Sequence, residues 1–357
     1  VNAAQAVIDL DDTDGLLAAD RDGLLRAASM GGAHVRAAAA ALDEGALDSL
    51  RGDRPRTVIW VAGRGTAETA GTMLAATSGG APTPIVIAAE APPWIGALDM
   101  MIVAGDDPGD PALVGAAASA ARRGARVVVA APYDGPLRDA TAGRAAVIEP
   151  RLPVADGFGL CRYLAVGLAV LQNVDPKLRV DLAALADELD AEALRNSASR
   201  EVFTNPAKAL VERMSRRRVV LAGDCAATLT LARHGCSVLL RIAREVAAAA
   251  GLADALIALG AGPGFADPTE SLFHDEEIDG PITERLRVLA LTLDAERTVV
   301  ASRIAQFDDV DMVGAEDVPD LLDGRRALPG AQRVEQQLAI LAVRLEMAAV
   351  YLRLARG

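Results

Sequence analysis

The sequence predicts an α/β fold: two doubly wound parallel-sheet halves in tandem, closed by a long C-terminal helix. Three observations carry this. Short apolar runs without alternation recur at 57–62, 84–89, 99–105, 125–131 and 145–149. Such runs suit strands covered on both faces of a parallel sheet. The stretches between them hold helical patterns, and strand–helix alternation at this spacing makes βαβ units. A second series begins with RRVVLAG (217–223), so the arrangement is started twice.

Taken in order, residues 20–50 show helical spacing, with Leu24, Leu25, Ala28, Val35 and Leu42 on one stripe. TVIWVA (57–62) is the first strand and runs into GRGTAET, which opens a small-residue helix over 67–77. PIVIAA, DMMIVAG, ARVVVAA and AAVIEP supply the next strands, with an Ala-rich helix at 111–123. FGLCRYLAVGLAVLQ (158–172) reads as an apolar helix and 181–195 as an amphipathic one. The second half has a helix at 203–214, a strand at 217–223, helices at 226–234 and about 238–250, and strands within 285–293 and 310–317. The Gly-, Pro- and acid-rich stretch 261–283 is a long loop, and loops of that length are usually functional or mobile. Residues 332–355 form the last helix, with apolar positions every three to four residues. The expected organisation is a first domain over 1–155, connecting helices over 156–200 and a second domain over 201–357.

A length of 357 residues suits two domains, and 52% apolar residues can fill their cores. With only 5 Phe, 2 Trp and 3 Tyr, those cores are built of Ala, Val and Leu. The net charge of −13 argues against a nucleic-acid partner and against docking on an anionic membrane. The N-terminal stretch is acidic and lacks the pattern of a signal peptide, and no run reaches the ~18–20 apolar residues of a membrane span. The chain is expected to be soluble and cytoplasmic. Cys161, Cys225 and Cys236 read as buried small hydrophobes. Three cysteines and three histidines without metal-ligand spacing give no reason to expect a metal. The apolar faces of 158–172 and 332–355 exceed what one sheet can cover, which predicts a two-fold dimer.

Five motifs occur in one order: GRGTAETAG (63–71), ProArg (150–151), AsnProAlaLys (205–208), HisAspGluGluIle (274–278) and TyrLeuArgLeuAlaArgGly (351–357). In that order they resemble the bifunctional phosphoglucose/phosphomannose isomerases, built from two sugar isomerase (SIS) domains. The resemblance spans nearly the whole chain. It implies aldose–ketose isomerisation of a sugar phosphate in a homodimer, with no cofactor.

The resemblance places a phosphate cradle at Gly63, Gly65 and Thr66, where a strand turns into a helix and free N–H groups meet an anion. Read alone, this is also an ordinary strand–helix turn with Thr66 at its cap. Arg151 falls where the family has an enediolate-stabilising arginine, and His274 where it has a ring-opening acid. A plain surface arginine and a loop histidine are the alternatives. His34 and His234 lie in helical stretches and read as structural. Three features depart from the family. Asp106, Asp107 and Asp110 stand where it has a hydroxyl-rich phosphate turn, so phosphate is not bound in the family manner, or a cation sits there, or the loop turns outward. Ala248 stands where it has its glutamate base, with Glu245 as the substitute if 241–251 is helical, or as the partner of Arg241. No lysine follows the last helix. The expectation is an isomerase-like protein with weak or lost activity. The alternative is a non-catalytic SIS-domain protein that binds or senses a sugar phosphate.

Overall fold

The computed structural model describes residues 7–153, 157–175, 177–215, 217–260, 285–316 and 333–356. The chain divides into two compact units. The first comprises Asp20–Leu194 with Val334–Val343, and the second Val1–Ala19, Arg195–Arg333 and Arg344–Gly357.

The first unit holds β1 (Thr57–Ala62), β2 (Ile85–Ala88), β3 (Asp99–Ala104), β4 (Arg126–Ala130) and β5 (Ala146–Val147). All pair in parallel, in the order β2-β1-β3-β4-β5. The β-branched runs were the signal, and β1 and β3 are buried almost throughout. One face packs Ile59, Val61, Met101, Val103 and Val129 against Leu113 of the helix α5 (Pro111–Arg122). The helices α4 (Thr66–Thr77) and α7 (Leu160–Val174) pack against each other, and α7 also packs on α3 (Gly31–Asp43).

In the second unit β6 (Arg218–Gly223), β7 (Ala248–Gly251), β8 (Leu286–Leu291) and β9 (Val310–Val313) form a parallel sheet in the order β7-β6-β8-β9. Its core includes Val220, Ala222, Val288 and Ala290, with Leu252 of α11 (Leu252–Gly260). The two sheets thus repeat one topology, in which the second strand lies outside the first and the third lies on its other side. In such sheets the strand order reverses between the first and third strands, and ligands bind in the crevice beyond their carboxyl ends.

Two sequence expectations are corrected. Residues 238–250 are not one helix. The helix α10 (Ala226–Val238) runs into a single wide turn, Leu239–Ala243, and then stops at Arg244, which has left-handed φ 54°. Ala248–Gly251 instead pairs with Val220–Gly223. Pairing on a sheet edge outweighs the helix propensity of alanine, which is a weak preference per residue. The second correction concerns the argument for a dimer. Every residue of Leu160–Leu171 and of Gln337–Leu352 is buried within a single chain. A helix that is apolar on all sides belongs in a core, so these faces call for no second copy.

Candidate functional site

The reversal between β1 and β3 places two loops side by side. The first follows β1. Gly63 donates its N–H to Ala104 O at 2.7 Å, and a Cβ on Gly63 would stand only 3.5 Å from Gly105 Cα. Gly65 has φ 86° and ψ −129°, a conformation that side chains strongly disfavour. Thr66 then starts α4. The indole of Trp60 in β1 donates to Ala67 O at 3.0 Å and so fixes the first turn of that helix. Thr66 is buried, and among the described residues its hydroxyl makes no hydrogen bond. Gly63, Gly65 and Thr66 therefore share one turn at the mouth of the crevice.

The second loop follows β3 and carries the three aspartates. Asp107 accepts from Gly109 N–H at 2.8 Å within the loop. Asp110 caps α5, accepting from Ala112 N–H at 2.9 Å. Its other oxygen lies 3.7 Å from where a Cβ on Gly63 would be. Asp106 pairs with Arg162 of α7. Asp106 and Asp107 are exposed, and Asp110 alone of the three turns an oxygen toward the glycine turn.

Behind Asp106 lies a group of buried polar side chains. The Arg162 guanidinium sits 4.3 Å from the centre of the Tyr163 ring. The Tyr163 hydroxyl is buried against the Asp106 carboxylate and the Arg162 guanidinium. Burial, with the Asp106 carboxylate adding to it against the opposing pull of Arg162, raises its pKa, so it is a neutral donor. A Cβ on Gly159 would meet Thr66 Oγ1 at 3.1 Å and Tyr163 Cε2 at 3.4 Å. That glycine is the gap through which the Thr66 hydroxyl and the tyrosine ring approach each other. His34 of α3 is buried with Nε2 unpartnered, and burial followed by the Arg162 charge pushes its pKa down to about 4. The imidazole is neutral near pH 7.

The remaining sequence candidates are not drawn into this group by any hydrogen bond or ion pair among the described residues. Arg151 makes a two-pronged pair with Glu44 at the surface, which raises the arginine pKa and lowers that of the glutamate. Glu245 belongs to the second unit. It lies in the loop before β7 and pairs with Arg356, not with Arg241. Ala248 opens the edge strand β7, so the two residues do not stand three apart on a helix and Glu245 gains no reach from that spacing. His274 lies outside the described residues. His234 donates to or accepts from Glu346 at 2.9 Å in a buried pair, in keeping with a structural histidine. Arg162 and Tyr163 were missed from the sequence. The available signal was a lone arginine inside the apolar run FGLCRYLAVG, since a buried charge needs a partner.

Among solved structures, this chain is similar to tagatose-6-phosphate ketose/aldose isomerase from Escherichia coli, at a TM-score of 0.59 and 13% identity over 98% of this chain and 95% of that one. The chain shares the fold of that enzyme. The C-terminal domain of glucosamine-fructose-6-phosphate aminotransferase from Francisella tularensis matches equally well, at 0.59 and 12% identity over 95% of this chain and 98% of that one. A glucose-6-phosphate isomerase like protein from Thermus thermophilus follows at 0.55 and 19%, over 98% and 94%. No family model matches the sequence, and no curated protein matches it. At these identities the likeness is one of fold. Among the described residues no helix is long and apolar enough to cross a membrane, and no group of three or more His, Cys, Asp or Glu is placed to hold a metal ion.

Proposed function

We propose that this chain is a sugar-phosphate isomerase-like protein that binds a sugar phosphate or related small carbohydrate and has little or no isomerase activity. The observation that carries the reading is the state of the would-be base. Aldose–ketose isomerisation moves a proton between neighbouring carbons and needs a general base within ~3 Å of it, a carboxylate in the family resembled. The position that the resemblance gives to that base is Ala248 on an edge strand, and its substitute Glu245 is ion-paired to Arg356. Arg151, the proposed enediolate stabiliser, is likewise paired, with Glu44. The glycine turn at 63–66, by contrast, stands at the β1/β3 crevice with Gly65 in a conformation that side chains disfavour, which supports binding there even though the Gly63 N–H is already donated to Ala104 O. A two-fold dimer rests on the resemblance alone, and sedimentation at tens of micromolar, on the order expected for a stable interface, tests it.

Fructose 6-phosphate formation from glucose or mannose 6-phosphate is the direct assay for the wild type, Glu245→Gln and Ala248→Glu. Turnover at or near the detection limit in the wild type is expected. A wild-type kcat in the ordinary enzymatic range of ~1–10³ per second would overturn the proposal. Activity gained on Ala248→Glu would identify the missing carboxylate as the cause.

A further inference from the structure

Arg162 stands where a cation needs an anion. It lies in the first turn of α7, the end at which the helix dipole disfavours positive charge. Its side chain is only 10% exposed, and the guanidinium rests on the Tyr163 ring. The imidazole of His34, whose pKa Arg162 helps to lower, is neutral near pH 7 and supplies no negative charge. Among the described residues, the one carboxylate paired with this arginine is Asp106. A buried guanidinium thus depends on a loop side chain that is itself 62% exposed.

The same place adjoins the glycine turn. A Cβ on Gly159, at the start of α7, would meet Thr66 Oγ1 at the start of α4 at 3.1 Å. The N-terminal ends of two helices therefore meet here, and each favours a negative charge. Thr66 is only 6% exposed, yet among the described residues its hydroxyl has no hydrogen-bond partner. A guanidinium, a free hydroxyl and two helix ends together suit the oxygens of an anion. Arg64, exposed in the turn, adds a second positive charge. Asp107 and Asp110 oppose an anion by charge alone, because their carboxylates are held by Gly109 N–H and Ala112 N–H. Asp106 differs from both, since it sits on the guanidinium itself.

Resting on the binding function proposed above, we infer that Arg162 takes the anionic group of the ligand and that Asp106 is its internal competitor, pairing with Arg162 until that anion displaces it. The exchange keeps the buried guanidinium paired in both states, while Asp106 passes to the solvent that already reaches it.

The test is calorimetric titration of the full chain with glucose 6-phosphate and with glucose near neutral pH, for the wild type, Asp106→Asn and Asp107→Asn. Each variant removes one charge from the same exposed loop and keeps an oxygen that accepts a hydrogen bond, and melting curves confirm that both fold. Asp106→Asn should bind glucose 6-phosphate about tenfold to a hundredfold more tightly than the wild type, the range of one charge-assisted hydrogen bond released from competition. Asp107→Asn relieves only screened repulsion and should gain at most about threefold. Glucose carries no charge and should not distinguish the three proteins. Without ligand, Asp106→Asn should melt below the wild type, because its buried guanidinium has lost its charge partner, and glucose 6-phosphate should raise its melting temperature further than that of the wild type. Equal gains for the two variants, or no gain for Asp106→Asn, overturn the inference while the binding function stands. If glucose 6-phosphate binds none of the three proteins at millimolar concentration, the inference fails; if glucose binds none either, the binding function fails with it.

Discussion

The buried neutral imidazole of His34 makes the stability of this protein depend on pH in a calculable way. Its pKa falls from 6.5 to about 4 because burial, and then the Arg162 charge, oppose its protonation. Between those values the unfolded chain takes up a proton that the folded chain refuses. Stability contributed by the neutral ring is therefore full above pH ~6.5 and is lost as pH falls toward 4. Linkage between the two values gives a loss relative to pH 7 of about 1.2 kcal/mol at pH 5.5 and about 2.4 kcal/mol at pH 4.5. Carboxylates titrate in the same range, so the comparison must be between variants. Urea unfolding of the wild type and His34→Gln at pH 7, 5.5 and 4.5 isolates the histidine, because glutamine does not titrate. The wild type should lose that much more than the variant at each step. Parallel curves for the two proteins would refute the reasoning, as would an NMR titration in which the His34 ring gains its proton near pH 6.5.

Four further substitutions follow from close packing and from the buried pair. A Cβ on Gly223 would stand 2.3 Å from Leu229 N and 2.4 Å from Thr228 C, backbone atoms that cannot yield locally, so Gly223→Ala should cost about 3 kcal/mol or more. Gly115→Ala meets open space in the middle of α5 and should stabilise by roughly 0.5–1 kcal/mol; urea midpoints that rank the two glycines the other way would contradict the packing described. Burial raises the pKa of Glu346 against the influence of His234, so Glu346→Gln, which can keep the hydrogen bond, should cost about 1 kcal/mol. His234→Ala strands a buried carboxyl and opens space, and should cost about 3–5 kcal/mol in the same measurement.

The first sheet was legible nearly residue by residue, because its strands are continuous β-branched runs that only a doubly covered sheet can use. TVIWVA is β1, and DMMIVA within the run read at 99–105 is β3. The edge strand β7 was not legible. Its sequence, Ala248–Gly251, has no β-branched residue, and only pairing with β6 makes it a strand. The short helices Gly135–Thr141 and Arg297–Ile304 were also missed, the first too brief to show a period and the second with a weak apolar face. At the site, Gly63, Gly65 and Thr66 could be found because a strand-to-helix glycine turn is a local pattern. The role of Asp110 could not, because which member of an acidic loop faces the turn depends on the cap of α5 and on strand order. Tyr163 was hidden by its surroundings: in an apolar helix, an aromatic reads as core.

The last helix, Val334–Arg356, has a consequence for the order in which the chain can mature. Its first ten residues complete the unit of the first sheet, and its remainder completes that of the second, where Arg344 donates to Gly314 O and Ala315 O and Ile8 N–H bonds to Ala355 O. A ribosome emits the strands of both sheets before it emits this helix. Domains commonly fold one after another during synthesis, yet here neither unit can close until the same late segment appears. Contacts as distant in sequence as residues 8 and 355 can form only once this helix is made, and such long-range contacts slow folding.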